Sequence, residues 1–224
     1  MIDILLIEDE EKLGFILSTS LSKYNFRVRY CKDGLAGFQS FQTTKPDIIV
    51  LDVMMPMLDG FSVAKKIRET DHITPIIFLT ARTGQEDVLK GFEFGGNDYL
   101  KKPFHIDELI ARIKSLAKLS NTYHPSHDIS IGKYILNPSK QLLILNEQQT
   151  ALSYRECEIL KRLYQRKNTV VSRKEIQTEF WQDDPLTSGR SLDVFISRLR
   201  KYLKDDTSLK IVNVRNIGYQ FKVD

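Results

Sequence analysis

The stretch that decides the fold of the first half is "IIVLDVMMP", residues 48–56. Four apolar residues run directly into Asp52, and apolar residues resume behind it. A charged carboxylate that is buried without a partner costs several kcal/mol, so Asp52 needs compensating groups nearby. A short, wholly apolar run is typical of a buried strand in a parallel sheet. The stretch therefore predicts a strand that ends in an acidic residue.

The composition indicates a folded protein of the reducing cytosol. Its 224 residues are enough for two ordinary domains, and 42% of them are hydrophobic, which supplies a sizeable core. The apolar run "IDILLI" ends at "EDEE" and is too short for a signal peptide or a membrane span. Cys31 and Cys157 match no metal or redox spacing, so we expect free thiols. We therefore expect a cytoplasmic protein that does not associate with membranes.

The basic charge lies in the second half of the chain. Residues 1–120 contain 16 Lys+Arg and 17 Asp+Glu, whereas residues 121–224 contain 17 and 12. The net charge is therefore −1 in the first part and +5 in the second. A basic excess in one part of a chain suggests a polyanionic partner for that part.

The first half alternates short apolar strands with amphipathic helices. We predict strands at 3–7, 27–31, 47–52, 75–80 and 98–102, and helices at about 11–23, 34–43, 59–69, 85–95 and 106–119. The second strand alternates in hydrophobicity, as an edge strand does. Five such repeats predict an α/β fold, a doubly wound five-stranded parallel sheet with helices on both faces.

The second half follows a polar segment, residues 120–127, which we interpret as a linker. After it come short strands in "ISIGKYILN" and "QLLILN", and three helical patterns that start near Ser153, Ser172 and Ser188. Two alternating strands around Asn216 and Gly218 close the chain as a hairpin. The predicted organisation is one domain over 1–119, the linker, and a second domain over 128–224.

Side chains that can carry chemistry fall at the ends of the predicted parallel strands. Strand one ends in Glu8 and Asp9, strand three in Asp52, strand four in Thr80 and strand five in Lys102. The carboxyl ends of the strands form the active crevice of an open parallel sheet. Clustered carboxylates suit a hard cation such as Mg²⁺, and a cation together with a lysine neutralises phosphoryl oxygens. The arrangement predicts a phosphate site.

Four motifs carry these residues, namely "LLIEDEE", "IIVLDVMMPMLDGF", "IIFLTAR" and "NDYLKKPF". Their order and spacing resemble the flavodoxin-like receiver domain of bacterial two-component response regulators, over residues 1–119. The resemblance implies that Asp52 is the phosphoacceptor and takes a phosphoryl group from a histidine kinase. It also implies Mg²⁺ bound by Asp9, Asp52 and the backbone carbonyl of Met54, with Glu8 acting through water.

The same resemblance assigns the remaining pocket residues. Lys102 would contact the phosphoryl group, Thr80 would hydrogen-bond to it, and Tyr99 would turn inward as a second switch residue. The peptide bond after Lys102 would be cis. A metal-dependent hydrolase is an alternative for this half. However, Met54 stands two residues after Asp52, where an aspartyl-phosphate hydrolase needs an aspartate, so we expect a switch and not an enzyme.

The helical pattern in "SGRSLDVFISRLRKYLKD" has an apolar face and a basic face. Helical spacing groups the apolar residues Leu192, Phe195, Ile196, Leu199, Tyr202 and Leu203. The opposite stripe contains Val194, Ser197, Arg198 and Lys201, flanked by Arg190, Arg200 and Lys204. Such a helix fits a DNA major groove. An isolated helix of this kind is more simply a solvated charged surface, but the hairpin that follows favours DNA binding.

The second half resembles the winged-helix DNA-binding domain of OmpR/PhoB-type regulators. "VRNIGYQF" matches the wing, and "LSYRECEILKRL", "VVSRKEI" and "RSLDVFISRLRKYL" match the three helices of a winged helix-turn-helix. The resemblance implies that Arg198 reaches base edges, that Arg190 and Arg200 hold phosphates, and that Arg215 enters the minor groove. Tyr219 would either touch a phosphate or pack under the wing.

Two departures from the family pattern concern the DNA-binding half. Asn216 stands where the wing usually has glycine, but asparagine tolerates the left-handed conformation, so we expect the turn to survive. Phe195 and Ser197 occupy places where relatives often carry polar or basic residues. Ser197 weakens the basic surface and leaves the DNA sequence preference open.

In this family, phosphorylation favours a symmetric homodimer through the fourth helix, fifth strand and fifth helix of the receiver. Val88 and Asn97 stand where relatives carry charged residues, so the contact could be weaker or more apolar here. The expected interface residues are Asp98 with Arg112 and Glu93 with Lys114.

These observations predict a transcriptional regulator that phosphorylation switches. Its partners would be a sensor histidine kinase, double-stranded DNA and, through the loop at 181–189, RNA polymerase. The alternative is a constitutive DNA-binding regulator that works without phosphorylation and whose acidic pocket is only structural.

Overall fold

The computed structural model describes residues 1–81, 94–121, 127–181 and 188–224, with 117–121 and 188–191 described as backbone only. The chain divides into two units, Met1–Thr122 and Tyr123–Asp224. In the described part of the chain, no helix is long and apolar enough to cross a membrane.

The first unit contains a five-stranded parallel sheet with the strand order β2-β1-β3-β4-β5. This topology confirms the predicted doubly wound sheet and places β2 at its edge. The predicted helix at 85–95 lies almost wholly outside the described residues. The elements are β1 (Ile2–Ile7), α1 (Glu11–Lys23), β2 (Phe26–Cys31), α2 (Gly34–Thr43), β3 (Ile48–Asp52), α3 (Gly60–Arg68), β4 (Ile76–Thr80), β5 (Asp98–Lys101) and α4 (Ile106–Asn121).

Side-chain caps explain where two of the helices begin. The carboxylate of Asp33 accepts a hydrogen bond from the backbone N–H of Ala36 at the start of α2. Asp59 does the same for the backbone N–H of Ser62 at the start of α3. An acidic N-cap satisfies a helix N–H group that has no partner within the helix. The caps therefore end the loops that follow β2 and β3.

The register of the sheet brings its chemical residues to one edge. β1 and β3 pair in parallel with Ile7 opposite Leu51, and β3 pairs with β4 with Asp52 opposite Leu79. β3 and β4 are buried along their whole length, because both faces of these central strands are covered. Glu8, Asp52 and Thr80 therefore reach the carboxyl edge of the sheet together.

The second unit contains an antiparallel platform followed by three helices and a second sheet. The platform has the order β6-β7-β8-β9, and its last strand was not predicted from the sequence. The second sheet has the order β10-β12-β11. The elements are β6 (Ile129–Ile131), β7 (Tyr134–Asn137), β8 (Leu142–Leu145), β9 (Gln148–Ala151), α5 (Tyr154–Gln165), β10 (Val170–Ser172), α6 (Arg173–Trp181), α7 (Ser188–Tyr202), β11 (Leu209–Val214) and β12 (Gly218–Val223).

The β11–β12 hairpin depends on two special backbone positions, which Ile217 separates. Asn216 has a φ of +61°, the left-handed conformation that the sequence predicts for it. Gly218 lies against β10, where an added Cβ would come within 2.0 Å of the carbonyl oxygen of Val171. No side chain fits there without moving the backbone of β10 or β12.

Replacing Gly218 by alanine should therefore destabilise the second unit by about 2 kcal/mol or more, since overpacking typically costs about 1–3 kcal/mol. The single tryptophan of the chain, Trp181, is buried in this unit, so its fluorescence during denaturant unfolding measures the change. Ile217→Ala is the control because Ile217 is 55% exposed. Equal stability of Gly218→Ala and the wild-type chain would contradict the close packing.

Candidate functional site

The first candidate site is an acidic pocket at the carboxyl edge of the parallel sheet. Glu8 and Asp9 follow β1 directly, and Asp52 is the last residue of β3. One carboxylate oxygen from each of the three residues lies within 4.8 Å of the others. Glu8 is fully buried and Asp52 is 4% exposed, so their charges need compensation from the protein or from a cation.

Lys102, just after β5, provides this compensation. Its Nζ atom lies 2.9 Å and 2.8 Å from the two carboxylate oxygens of Glu8 and 2.8 Å from Oδ2 of Asp52. The peptide bond after Lys102 is cis, as predicted. One ammonium group therefore bridges two strand ends that are distant in sequence.

Protonation of the pocket follows from its burial. Burial raises the pKa of Glu8 to about 7, the negative charge of Asp52 adds to this effect, and the hydrogen bond from Lys102 opposes it. Burial lowers the pKa of Lys102, but its hydrogen bonds to Asp52 and Glu8 outweigh this and raise the pKa overall. At neutral pH Lys102 is therefore charged, while Glu8 is close to its titration midpoint.

The loop after β3 fixes the orientation of Asp52. Its Oδ1 atom accepts a hydrogen bond of 3.1 Å from the backbone N–H of Met54, while Oδ2 faces Lys102. A Cβ at Gly60 would lie 2.1 Å from the Asp52 carbonyl oxygen, so the start of α3 packs closely on this residue. The side chain of Asp52 is consequently held by a contact on each of its oxygens.

The two predicted switch residues lie on the strands beside the pocket. Thr80 is the last residue of β4 and is fully buried. It directly follows Leu79, the residue that pairs with Asp52. Tyr99 in β5 is 2% exposed, and its ring centroid lies 6.1 Å from that of Phe78. In this structure Tyr99 therefore occupies an inward position.

The residues predicted for a dimer interface form contacts within the chain. Arg112 on α4 pairs with Asp98 at 2.9 Å and with Glu108 at 2.8 Å. Lys114 Nζ lies 5.7 Å from the ring centroid of Tyr24. The predicted partner of Lys114, Glu93, lies outside the described residues.

Asn97, which stands where the family resemblance places a charged residue of the dimer contact, does not lie on the surface of the first unit. Asn97 is fully buried, and its side-chain oxygen accepts hydrogen bonds from the backbone N–H of Ile76 and from Arg68. The amide oxygen completes the start of β4, so Asn97 is a structural residue in the core of the first unit.

The second candidate site is the polar side of α7. Ser197 and Lys201 are exposed on it, as predicted. Arg198 is only 22% exposed at its side chain, and its Nη1 atom lies 3.2 Å from Oε1 of Glu156. Arg190 lies in the first turn of α7, where the structure describes only the backbone. One residue of the predicted stripe, Arg198, is therefore held by an ion pair within the same domain.

One of the predicted DNA contacts needs correction, and a second residue also has a contact within the domain. Tyr219 is 2% exposed, and its hydroxyl accepts a hydrogen bond from Arg173 and donates one to Asp193, so it packs under the hairpin and does not face a phosphate. Arg200 is exposed, but its Nε donates to the Ile211 carbonyl at 2.9 Å, which directs its guanidinium towards β11. Of the two alternatives for Tyr219, the structure shows the packed one.

Arg215 stands at the tip of the hairpin and is exposed, as its predicted role requires. The left-handed Asn216 directly follows it, so the turn projects Arg215 beyond the ends of β11 and β12. An arginine held at a hairpin tip is suited to the negative potential of a narrow minor groove.

A cluster that joins α6, α7 and β12 was not predicted from the sequence. Arg173 forms two hydrogen bonds of 2.9 Å to the carboxylate of Asp193, and its guanidinium lies 5.3 Å from the ring centroid of Tyr219. Asp193 was the available signal, because an acidic residue three positions after Arg190 and four before Ser197 shares their side of the helix.

Two protein families match the chain. The response regulator receiver domain family matches residues 4–114, and the family described as transcriptional regulatory protein, C terminal, matches residues 147–221. The chain is therefore a response regulator, with a receiver domain followed by a DNA-binding domain that regulates transcription.

Similar proteins identify the family of response regulators to which the chain belongs. The chain is 40% identical to transcriptional regulatory protein RprY of Bacteroides fragilis, over 97% of this chain and 93% of the relative. It is 33% identical to the alkaline phosphatase synthesis transcriptional regulatory protein PhoP of Bacillus subtilis, over 98% of this chain and 96% of that protein. The chain belongs to the OmpR/PhoB family of two-component response regulators.

Solved structures agree with this assignment. DrrB, an OmpR/PhoB homologue from Thermotoga maritima, is 30% identical with a TM-score of 0.52 and covers 99% of both chains. A RitR mutant, C128D, is 26% identical with a TM-score of 0.75 and covers 100% of both chains.

The protonation of Glu8 predicts a pH effect on receiver stability without divalent cations. The pKa of Glu8 is higher in the folded chain, about 7, than its ordinary value of 4.5. The folded state therefore binds more protons between these values, and stability falls as the pH rises through this window, by about 3 kcal/mol in total. Glu8→Gln should remove this decline.

Hydrogen exchange of the β1 and β3 peptides, corrected for intrinsic chemistry and followed in a chelator from pH 5 to pH 8, measures this effect. Glu69→Gln, at an exposed position, is the control and should keep the wild-type pH dependence. The same decline in Glu8→Gln as in the wild-type chain would contradict the assignment.

Proposed function

We propose that a partner histidine kinase phosphorylates Asp52 and that this modification switches DNA binding by the second domain. The observation that carries the proposal is the contact between Lys102 and Asp52, with Nζ 2.8 Å from Oδ2, inside a pocket that also holds Glu8 and Asp9. A carboxylate beside a fixed ammonium group is suited to become an acyl phosphate, because the ammonium neutralises phosphoryl oxygens.

The chemistry assigned to this chain is nucleophilic. An oxygen of Asp52 forms a bond to the phosphorus of the donor, the phosphorus–nitrogen bond of the phosphohistidine breaks, and its electron pair stays with the histidine nitrogen. Lys102 then lies beside the new phosphoryl group and offsets its charge. Thr80, at the end of the neighbouring strand, is the proposed hydrogen-bond donor to it.

The residues of the pocket fit Mg²⁺. Three carboxylates converge at one point, and oxygen donors are the ligands that a hard cation of this kind prefers. Asp9, Asp52 and the Met54 carbonyl are the proposed ligands, with Glu8 acting through water. When bound, Mg²⁺ supplies positive charge against the carboxylates and the phosphoryl oxygens.

The proposed output is a homodimer that binds DNA. Tyr99 is the proposed second switch residue, since its strand, β5, pairs with β4, the strand that ends in Thr80. The proposed dimer contacts of Asp98 and Arg112 require their bond within the chain, 2.9 Å in this structure, to exchange for one between chains. Two linked DNA-binding domains bind repeated half-sites more tightly through effective concentration.

The proposed DNA contacts are polar and basic residues of α7 and the arginine at the hairpin tip. Ser197, Arg198 and Lys201 on α7 face the major groove, Arg190 and Arg200 hold phosphates, and Arg215 enters the minor groove. RNA polymerase is a proposed partner through the segment 181–189.

A constitutive regulator is the second candidate. The observation that favours it is that Lys102 pairs with both Glu8 and Asp52, so the pocket is electrostatically compensated without a phosphoryl group. In that case the acidic pocket serves stability alone.

The intact mass of the protein after incubation with acetyl phosphate and Mg²⁺ distinguishes the two candidates. The wild-type chain should gain the mass of one phosphoryl group, and Asp52→Ala should gain none. Asp59→Ala is the matched control, since Asp59 is a nearby aspartate whose carboxylate caps α3, and it should react as the wild-type chain does. A folded wild-type chain that gains no mass would favour the constitutive regulator.

A further inference from the structure

The carboxylate of Glu156 links the first helix of the DNA-binding domain to the polar side of α7. Glu156 is 2% exposed and lies in the first turn of α5. Its Oε2 atom accepts a hydrogen bond of 2.7 Å from the backbone N–H of Ser153, which closes a capping box. Its Oε1 atom lies 3.2 Å from Arg198 Nη1 and 3.4 Å from the Tyr202 hydroxyl.

A capping box needs only one of these oxygens. The second carboxylate oxygen faces α7, where Arg198 and Tyr202 are one helical turn apart and therefore lie on the same side. A buried carboxylate is costly unless it is paired, and Arg198 supplies the charge. Glu156 thus has a contact on α7 that the start of α5 does not require.

The pairing determines where the guanidinium of Arg198 stands. Arg198 lies at the border between the buried face of α7, which includes Leu199, and the exposed stripe with Ser197 and Lys201. A guanidinium carries five N–H groups in a planar fork, so one such group can serve a carboxylate and a base edge together. A fork held in one orientation favours bidentate contact with a base over loose attraction to any phosphate.

We propose that Glu156 is a positioning residue that orients Arg198 for base recognition and whose negative charge limits attraction of Arg198 to non-specific DNA. The inference rests on the proposed role of Arg198 at base edges. Glu156 itself does not touch DNA, since it is buried behind α7.

Two substitutions separate the geometry of Glu156 from its charge. Glu156→Gln keeps the length of the side chain and an oxygen that can close the capping box, but removes the charge. Glu156→Asp keeps the charge, but the shorter side chain moves the carboxylate away from Arg198. The matched control is Glu158→Gln, which removes one charge from the same helix at a residue that pairs with Lys161 of that helix, at 3.4 Å.

The experiment measures the affinity of the full chain for two duplexes at several salt concentrations. One duplex is selected by the wild-type chain from random-sequence DNA, and the other has the same composition in scrambled order. Folding of every variant is checked by the fluorescence of the buried Trp181. The quantity compared is the ratio of the two affinities.

We expect both Glu156 variants to lower this ratio by about tenfold. Glu156→Gln should also steepen the salt dependence by about one phosphate contact, because Arg198 becomes available to the backbone. Glu156→Asp should leave the salt dependence unchanged, and Glu158→Gln should keep the wild-type ratio. An unchanged ratio in either folded Glu156 variant would overturn the proposal.

Arg198→Ala separates this inference from the function on which it rests. Arg198→Ala could lower the ratio of the two affinities while both Glu156 variants keep the wild-type ratio. In that case the positioning role of Glu156 is wrong and base recognition by Arg198 stands. If Arg198→Ala keeps the ratio, base recognition by Arg198 is wrong and the positioning role falls with it.

Discussion

The receiver depends on the compensation of two buried carboxylates by one lysine. Glu8 and Asp52 end neighbouring parallel strands, and the register of these strands leaves them side by side. Lys102 bonds to both at 2.8–2.9 Å. The same constraint underlies the proposed chemistry, because clustered negative charge against an ammonium group is suited to a divalent cation and a phosphoryl group.

The DNA-binding domain uses the same principle for orientation. Glu156 is buried and meets Arg198, and Asp193 meets Arg173 under the hairpin. Each pair joins α7 to a different neighbour, the first to α5 and the second to α6, where Tyr219 also contributes from β12. Arg198 on α7 is therefore held by a carboxylate of α5, and Asp193 on α7 is held by an arginine of α6.

Periodic patterns predicted most of the fold, and strand ends predicted the acidic pocket. The bounds of α1 and α2 agree with the helical spacing, and Asn216 adopts the left-handed conformation expected of it. Strand β9, "QQTA", was missed because it has little apolar content. The burial of Asn97 and Tyr219 could not be predicted from the sequence alone. Asn97 is paired with Arg68 and Tyr219 with Arg173, and no local sequence pattern identifies these partners.

The proposed control of DNA binding by modification of Asp52 is tested most directly by the affinity for one duplex before and after treatment with a phosphodonor. The full chain and Asp52→Ala are titrated with the same selected duplex, with Mg²⁺ present throughout. We expect treatment to tighten binding by the wild-type chain about tenfold or more and to leave binding by Asp52→Ala unchanged. Equal affinity of the wild-type chain before and after verified phosphorylation would contradict this control.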